Sequence, residues 1–537
     1  MPKFILNNRE IEAKPGQTII QAASDHGLEI PHYCYHPDLP IDGNCRMCLV
    51  DVEKMPKLTP ACTTLVNEGM VVRSDNDRVK QAVRGVLEFL LINHPVDCPV
   101  CDQAGECRLQ DYYMVYGLHT SEIPLGMKVR KRKVIDLGPM VVLDQERCVL
   151  CSRCIRFFDH VTETGEMQFF GRGDHVAIGT FEDRPLDNPY SGNVVDICPV
   201  GALTSRDFRF KCRVWFLHAT NSVCGGCSTG CAVRIDHRDG TIFRMIPRRN
   251  PEVNRSWLCD EGRLTFHQLN TSERIESPSM KNSDGVLMPV TWDEAVRAVD
   301  ARLKETRNAH GPASVLGFGS PLATNEALFL FKRYLADQVG ATRFEFRVDS
   351  EDKKLAVKED SILRHLDKHP NSMGAIKLGL ISDELEGIRG AINAARDGRI
   401  KAGVVIYFKR LVRRPGDEET DGQLLELIDA LEYSVVVAAH AADWQRGASV
   451  VLPAAAWSEE EGTYTNFEGR VQGAGKAIEP FGEALPVWEA FAMLLHASGA
   501  ESRWMSAADV FATMSEQVPA YREISLDQTS LPGVVVG

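Results

Sequence analysis

What this 537-residue chain lacks narrows its function at once. It has 16 cysteines, yet none precedes Cys34 and none follows Cys259, so the C-terminal half carries no thiol chemistry. No apolar run approaches the ~18 residues of a membrane span. Stretches such as 403–408 and 449–456 are of core-strand length. The segment from Met1 to Arg9 lacks the roughly 7–15-residue apolar stretch of a secretory signal. A cysteine-rich chain without an export signal is expected in a reducing compartment, where thiols bind metals rather than pair as disulfides. Positive charge is also in deficit. The net charge of −13 argues against a nucleic-acid partner, which would need a basic face. Tandem repeats and low-complexity tracts are missing too.

What is present is ordinary globular material, 44% hydrophobic and 25% charged. The chain is longer than one hydrophobic core usually supports, so several domains are expected. Residues 1–78 read as a β-grasp unit. Segments 3–7 and 10–13 alternate as a hairpin, and Thr18 opens a short helix with Ile19, Ile20, Ala22 and Ala23 on its apolar face. Residues 79–118 read as a helix over 79–92 followed by a ligand-rich segment. Residues 119–215 form a third region. It begins with a linker over 119–140 whose basic run, Lys128 to Lys133, reads as a solvated connector. Residues 216–270 form a fourth. From 271 to 537 the pattern is α/β: Thr291 and Glu294 make a capping box, an apolar strand over 313–318 enters a helix over 325–335, and 402–408, 434–439 and 449–452 are further buried strands. Residues 347–370 are highly charged and read as a surface segment. The expected fold class is multidomain α/β and α+β.

Fifteen of the cysteines sort into four donor sets. Cys34, Cys45, Cys48 and Cys62 form the first, and their β-grasp context favours a [2Fe–2S] cluster. His94, Cys98, Cys101 and Cys107 form the second, H-x3-C-x2-C-x5-C, in which three closely spaced thiols call for a fourth donor. Replacing a thiolate by neutral imidazole leaves a cluster one charge less negative and raises its potential. Cys148, Cys151 and Cys154, closed by the remote Cys198 before Pro199, form the third. Three cysteines two residues apart wrap three irons and the distant one caps the fourth. A two-cluster ferredoxin would carry another cysteine at position 158, where Phe158 stands. Cys224, Cys227, Cys231 and Cys259 form the fourth. Structural zinc is the competing reading of every set, strongest for the first and weakest for the three-cysteine runs. Cys212 is left over and reads as a small buried hydrophobe.

These motifs carry a resemblance. Pro31-His-Tyr-Cys34, Gly43-Asn-Cys-Arg-Met-Cys-Leu-Val50, the His94–Cys107 stretch, Leu109-Gln-Asp-Tyr112 and Arg147-Cys-Val-Leu-Cys-Ser-Arg-Cys-Ile-Arg156 closely resemble the large iron–sulfur subunit of bacterial respiratory complex I. The resemblance implies a [2Fe–2S] cluster on the first set, a histidine-ligated [4Fe–4S] cluster on the second and an all-cysteine [4Fe–4S] cluster on the third. The fourth set matches an additional [4Fe–4S] site of some members. The same likeness implies a flavin-bearing, NADH-oxidising partner upstream and a ferredoxin-like two-cluster subunit downstream, among other peripheral-arm subunits. It also implies a peripheral position on the cytoplasmic side of the inner membrane, with membrane contact only through the complex.

The C-terminal half resembles the molybdopterin oxidoreductases through Val315–Glu326, Val451-Leu-Pro453 and the stretch from Glu460 to Gln472. The missing thiolate ligand, and a Gly317-Phe-Gly319 that is only a fragment of a dinucleotide fingerprint, make it a degenerate scaffold for which no molybdopterin is expected. An iron-only hydrogenase and a formate dehydrogenase share the N-terminal layout, and both require ligands that the C-terminal half does not offer. An iron–sulfur relay subunit of an NAD-linked soluble hydrogenase or formate dehydrogenase complex keeps the role with another partner.

Overall fold

The computed structural model describes residues 1–117, 124–269, 273–346, 357–381, 385–412, 417–500 and 504–536. The chain divides into two compact units, Met1–Leu217 and His218–Gly537.

The N-terminal unit opens with a β-grasp sheet. Its strands run Arg9–Glu12, Lys3–Leu6, Val71–Arg73, Leu49–Val52 and Thr59–Pro60 in spatial order. The first hairpin turns on Asn7 and Asn8, at φ 50° and 65°, the left-handed pair that matches the natural strand twist. Strand alternation puts Phe4 and Leu6 on the core side. There they meet Ile19, Ile20, Ala22 and Ala23 of the helix Ile19–Asp25. Asn76 then caps the helix Asp77–Leu91 through the Val79 amide, and Val79, Val83 and Leu87 form its buried stripe. The rest of the unit is a three-stranded sheet (Leu203–Ser205, Val141–Leu143, Ile135–Asp136), the helix Arg153–His160, and a hairpin of Met167–Phe170 with Ala177–Thr180. That hairpin and the short helix Asn193–Ile197 occupy the long insertion between Cys154 and Cys198. Phe158 is fully buried and packs edge-on against Phe157, so the position a second cluster's cysteine would take is core.

The C-terminal unit begins with an antiparallel sheet of His218–Val223, Ala232–Arg238 and Thr241–Pro247. Its main body is a seven-stranded sheet in the spatial order Leu287–Pro289, Ser279–Lys281, Val450–Pro453, Tyr433–Ala438, Ala402–Tyr407, Val315–Gly319, Arg343–Phe346. The last five are mutually parallel. Read from the Arg343 edge they follow the chain order 2-1-3-4-5, a doubly wound arrangement whose switch point lies between Val315–Gly319 and Ala402–Tyr407. Both faces are covered, so the strands are continuous apolar runs. Val404, Ile406, Val435 and Val437 enter one core, while Val405, Tyr407, Val436 and Ala438 enter the other. The helix Trp292–His310 starts from the Thr291–Glu294 capping box and buries Ala295, Val296, Val299 and Leu303.

Three expectations are corrected here. The basic run is solvated at Arg130 and Arg132 but its lysines are tied down. Lys128 Nζ donates to the Leu91 and His94 carbonyls, Lys131 Nζ to the Val176 carbonyl, and Lys133 pairs with Glu146 at 2.8 Å. Nearby acidic groups and open carbonyls draw the lysines down. The charged segment beyond residue 346 is surface only in part: Val357, Lys358, Glu359 and Ser361 are exposed, whereas Leu363, His365, Asp367, Lys368 and His369 are buried. Its charges satisfy one another, as in the Lys368–Glu359 pair and the His369–Asp367 hydrogen bond. The remainder of that segment, 347–356, lies outside the described residues. Cys212 is half-exposed, with its thiol on the Arg213 carbonyl at 3.5 Å, rather than a core residue.

Candidate metal centres

The first set lies between the β-grasp strands and the loop before them. Positive φ at Gly43 and Arg46 curls that loop, bringing Cys45 and Cys48 beside Cys34 and Cys62. The Cys34 amide donates to Cys45 Sγ at 3.4 Å. Hydrogen bonds from Cys45 and Cys62 hold the Cys34 thiol far below the ordinary thiol range. Donating to Cys34 and to Cys48 drives Cys62 far above it. Neighbouring thiols, three of these four buried, do not all ionise side by side without a cation to offset their charge.

The second set is built on two helix starts. Cys98 opens the short 3-10 turn Cys98–Val100, and Cys107 directly precedes the helix Arg108–Tyr116. Burial pushes Cys107 up to about 11 and raises Cys101. His94 is half-buried, and burial pushes its imidazole down to about 4, with Lys128, Arg147 and Lys133 acting in the same direction against Asp97. The ring is therefore neutral at physiological pH, the form a metal ligand must have. His94 and Cys101 both face the same ion pair, in which Arg147 grips Asp97 through Nε at 3.1 Å and Nη2 at 2.8 Å.

In the third set Cys148, Cys151, Cys154 and Cys198 line a cavity of about 320 Å³. Left-handed φ at Leu150 and Ser152 wraps the loop round it, and the Leu150 amide donates to Cys148 Sγ at 3.4 Å. Burial pushes Cys148 and Cys198 up to about 12 and Cys154 higher still.

These three sets share residues. Arg153 donates to the Ile197 and Tyr35 carbonyls. Arg156 reaches the carbonyls of Cys34, Pro40 and Cys151. Both arginines are buried and tie the first set to the third. Gly201 joins the third to the second: a Cβ there would stand 2.3 Å from Cys101 Sγ, and the neighbouring Pro199 carbonyl accepts from the Arg108 amide at 3.0 Å. One hydrophobic cluster includes Tyr33, Cys34, Cys107, Cys151 and Val200, with Cys45, Cys148 and Cys198 packed on it.

The fourth set sits in the C-terminal unit at the end of a hairpin. Cys224 follows the strand His218–Val223, Cys231 precedes Ala232–Arg238, and the Cys224 amide donates to the Cys231 carbonyl at 2.8 Å. Cys259 caps the turn Asp260–Arg263, its sulfur accepting from the Gly262 amide at 3.3 Å. A Cβ on Gly262 would lie 3.0 Å from Cys224 Sγ and 3.1 Å from Cys259 Sγ. Together with Cys227 these sulfurs ring a second cavity of about 320 Å³, closed by Leu363, Arg364, Lys368 and Val412. Asn254 fixes the frame, accepting from the Ala232 amide at 3.0 Å and donating to the Trp257 carbonyl at 3.0 Å.

The structure thus brings together the cysteines of each expected set. Among the described residues no three His, Cys, Asp or Glu side chains gather tightly enough for a single metal ion. In the third and fourth sets the sulfurs instead surround a cavity, which suits a cluster whose donors each bind a different iron. Sequence reading did not assign roles to Arg147, Arg153 and Arg156. Their signal was available, since each lies within two residues of a ligand cysteine.

Five sequence-family models match the chain in series. They are described as a 2Fe-2S iron-sulfur cluster binding domain (residues 3–77), an NADH-ubiquinone oxidoreductase-G iron-sulfur binding region (84–122), an NADH-quinone oxidoreductase subunit 3 ferredoxin-like domain (138–204), an NADH-ubiquinone oxidoreductase NDSU1/NuoG-like 4Fe-4S domain (217–267) and a molybdopterin oxidoreductase (274–366 and 363–497). Fold and donor sets together define a multidomain iron–sulfur protein joined to an α/β domain of the molybdopterin-oxidoreductase kind. Within that class the chain is a relative of the NuoG-like subunits of NADH-quinone oxidoreductase. The NADH-quinone oxidoreductase protein of this kind from Rickettsia bellii is 39% identical over 354 residues, 65% of this chain and 51% of that one. The NADH-ubiquinone oxidoreductase 75 kDa subunit of Reclinomonas americana is 38% identical over 387 residues, 71% of this chain and 55% of that one. A solved NAD+-reducing [NiFe]-hydrogenase in the H2-reduced state matches 40% of this chain and 91% of that one at 27% identity, with a TM-score of 0.36. The chain spans about half the length of the curated relatives named here.

Proposed function

We propose that this chain is the electron-relay subunit of an NADH:quinone oxidoreductase. It takes electrons from a flavin-bearing, NADH-oxidising partner and hands them to a ferredoxin-like two-cluster subunit on the way to quinone, while the whole complex couples the transfer to proton translocation. Its place is peripheral, on the cytoplasmic side of the membrane, with membrane contact through its partners; no helix among the described residues is long and apolar enough to cross a bilayer. The chain itself has no substrate site in this reading.

The donor sets would hold one [2Fe–2S] cluster on Cys34, Cys45, Cys48 and Cys62 and three [4Fe–4S] clusters. The latter take His94 with Cys98, Cys101 and Cys107; Cys148, Cys151, Cys154 and Cys198; and Cys224, Cys227, Cys231 and Cys259. Such clusters supply one-electron chemistry when bound. The protein's contribution is positional and electrostatic. Arg147, Arg153 and Arg156 set positive charge beside the sulfurs and fill the space between neighbouring sets, keeping water out. Amides of Cys34, Leu150 and Gly262 donate to sulfur, which favours the anionic ligand.

The observation that carries this reading is the sharing of buried arginines and one hydrophobic core among three donor sets. A scaffold with three independent structural metals has no use for that continuity, whereas a relay has. The test is reduction by NADH. The isolated chain should keep its iron–sulfur absorbance when NADH is added, and should bleach when its flavin-bearing partner is present. Direct reduction of the isolated chain, or no bleaching in the assembled pair, would overturn the proposal.

A further inference from the structure

The last residues of the N-terminal unit carry an exposed aromatic and basic face. Residues 206–213 hold three arginines and one lysine against one aspartate, in a chain whose net charge is −13. Phe210, Trp215 and Phe216 lie in and just after this stretch, each more than half exposed. Trp215 and Phe216 belong to the turn Val214–Phe216, with ring centroids 5.9 Å apart. Phe210 holds a left-handed φ of 62°, a costly conformation for a bulky residue and of the strained kind that clusters at functional sites. Neighbouring large rings left in water mark a surface that another molecule covers.

The face is seated on the loop of the second donor set. Arg213 Nη1 donates to the Cys101 carbonyl at 2.6 Å and Nη2 to the Pro99 carbonyl at 2.5 Å. The Phe210 amide donates to Asp102 Oδ1 at 2.8 Å. Trp215 lies against Gly105, where a Cβ would stand 2.8 Å from the indole ring, so any larger residue there would push the indole away. Val100, on the same loop, is also exposed.

Charge decides what fits. Arg206 pairs with Asp136 at 2.8 Å and Lys211 with Asp207 at 2.9 Å. Arg209 stands over the Phe210 ring and Arg213 over the Trp215 ring, 4.8 Å and 5.7 Å from the centroids. Among the described residues neither of these two guanidiniums has a carboxylate partner. Aromatic rings and arginines at the centre of an interface carry most of its binding energy, and uncompensated cations select a partner with carboxylates opposite them.

We propose that this face docks the protein that accepts electrons from the second donor set, and that this partner presents carboxylates around an apolar centre. The proposal rests on the relay reading. One electron passes outward and the acceptor is reduced by it, with no bond made or broken.

The probe is cytochrome b5, an acidic one-electron haem carrier, with the basic cytochrome c as its counterpart. The full, cluster-loaded chain is reduced, freed of reductant and mixed with each ferric haem protein, and haem reduction is timed in a stopped flow. Each rate is taken relative to that with p-benzoquinone, a small neutral acceptor that needs no docking face. Cytochrome b5 should be reduced at a rate that falls steeply as salt rises. Arg209→Glu combined with Lys211→Glu should slow it at least ~10-fold at low salt and speed cytochrome c. Phe210→Ser should slow cytochrome b5 at low and high salt alike, because it removes part of the apolar centre. Unaltered relative rates in the charge-reversed chain, a parent chain that prefers cytochrome c, or a Phe210→Ser chain that behaves as the parent would each overturn the proposal. So would a parent chain that sediments as a dimer which Phe210→Ser dissociates, since the face would then belong to a second copy. Failure of the relay reading looks different: the parent chain would reduce neither haem protein nor p-benzoquinone, and both readings would fall.

Discussion

The two units treat their cysteines in opposite ways. In the N-terminal unit three donor sets lean on common residues: Arg153 and Arg156 between the first and third, Gly201 and the Pro199 carbonyl between the third and second. In the C-terminal unit one set is framed by a hairpin end, by Asn254 and by a charged segment whose Leu363, Arg364 and Lys368 close its cavity. Coupled construction suits centres that exchange electrons. Solitary construction suits a centre whose first duty is to pin a loop, and a metal there contributes folding energy directly. The comparison predicts that damage spreads in one unit and stays local in the other.

The largest effect should come from Arg156→Ala. It strips donors from the carbonyls of Cys34, Pro40 and Cys151, and each buried orphan costs about 1–3 kcal/mol. Iron from the first and third sets should be lost together, about six atoms per chain, with a lowered unfolding temperature. Loss from one set only would break the idea of shared construction. Cys259→Ser should be next, removing about four irons while the paramagnetic resonance signals of the N-terminal unit stay as they were. Should those signals also collapse, the fourth set is not solitary.

Lys128→Met is a finer probe. Lys128 holds the His94 and Leu91 carbonyls, so its loss should alter the line shape or potential of the histidine-ligated signal alone, with Lys128→Arg restoring it. A change spread over all signals would mean a general loss of fold.

The smallest effect concerns pH. Glu460 and Glu326 are buried carboxyls pushed up to about 8 and about 7. In the unfolded chain they ionise near their ordinary value of 4.5. Between that value and the raised one the native state binds more protons, so stability falls as pH rises, and levels off above about 8. Glu460→Gln should flatten part of that decline, seen as a smaller drop in unfolding temperature from pH 5 to pH 8. An unchanged slope would show that Glu460 is ionised in the folded protein.

Much of this was legible in the chain itself. Local signals worked where the physics is local: the alternating hairpin before Thr18, the Thr291–Glu294 capping box, the apolar runs that became parallel strands, and the cysteine spacings that define each loop. What escaped was long-range. Nothing within Lys128–Lys133 says that its charges will find Glu146 and the His94 carbonyl. The charged segment around Asp367 looks solvated until its partners close over it. Arginines flanking Cys151 and Cys154 have the composition of a surface and the burial of a core, because the carbonyls of Tyr35, Ile197, Cys34 and Pro40, distant in sequence, accept from their terminal nitrogens.

The central claim is that these donor sets hold clusters rather than single ions. Iron, acid-labile sulfide and zinc should be measured on the full chain purified without oxygen. The account predicts two irons from the first set and four from each of the others, about 14 per chain, with matching sulfide. Stoichiometric zinc with little iron or sulfide would contradict it.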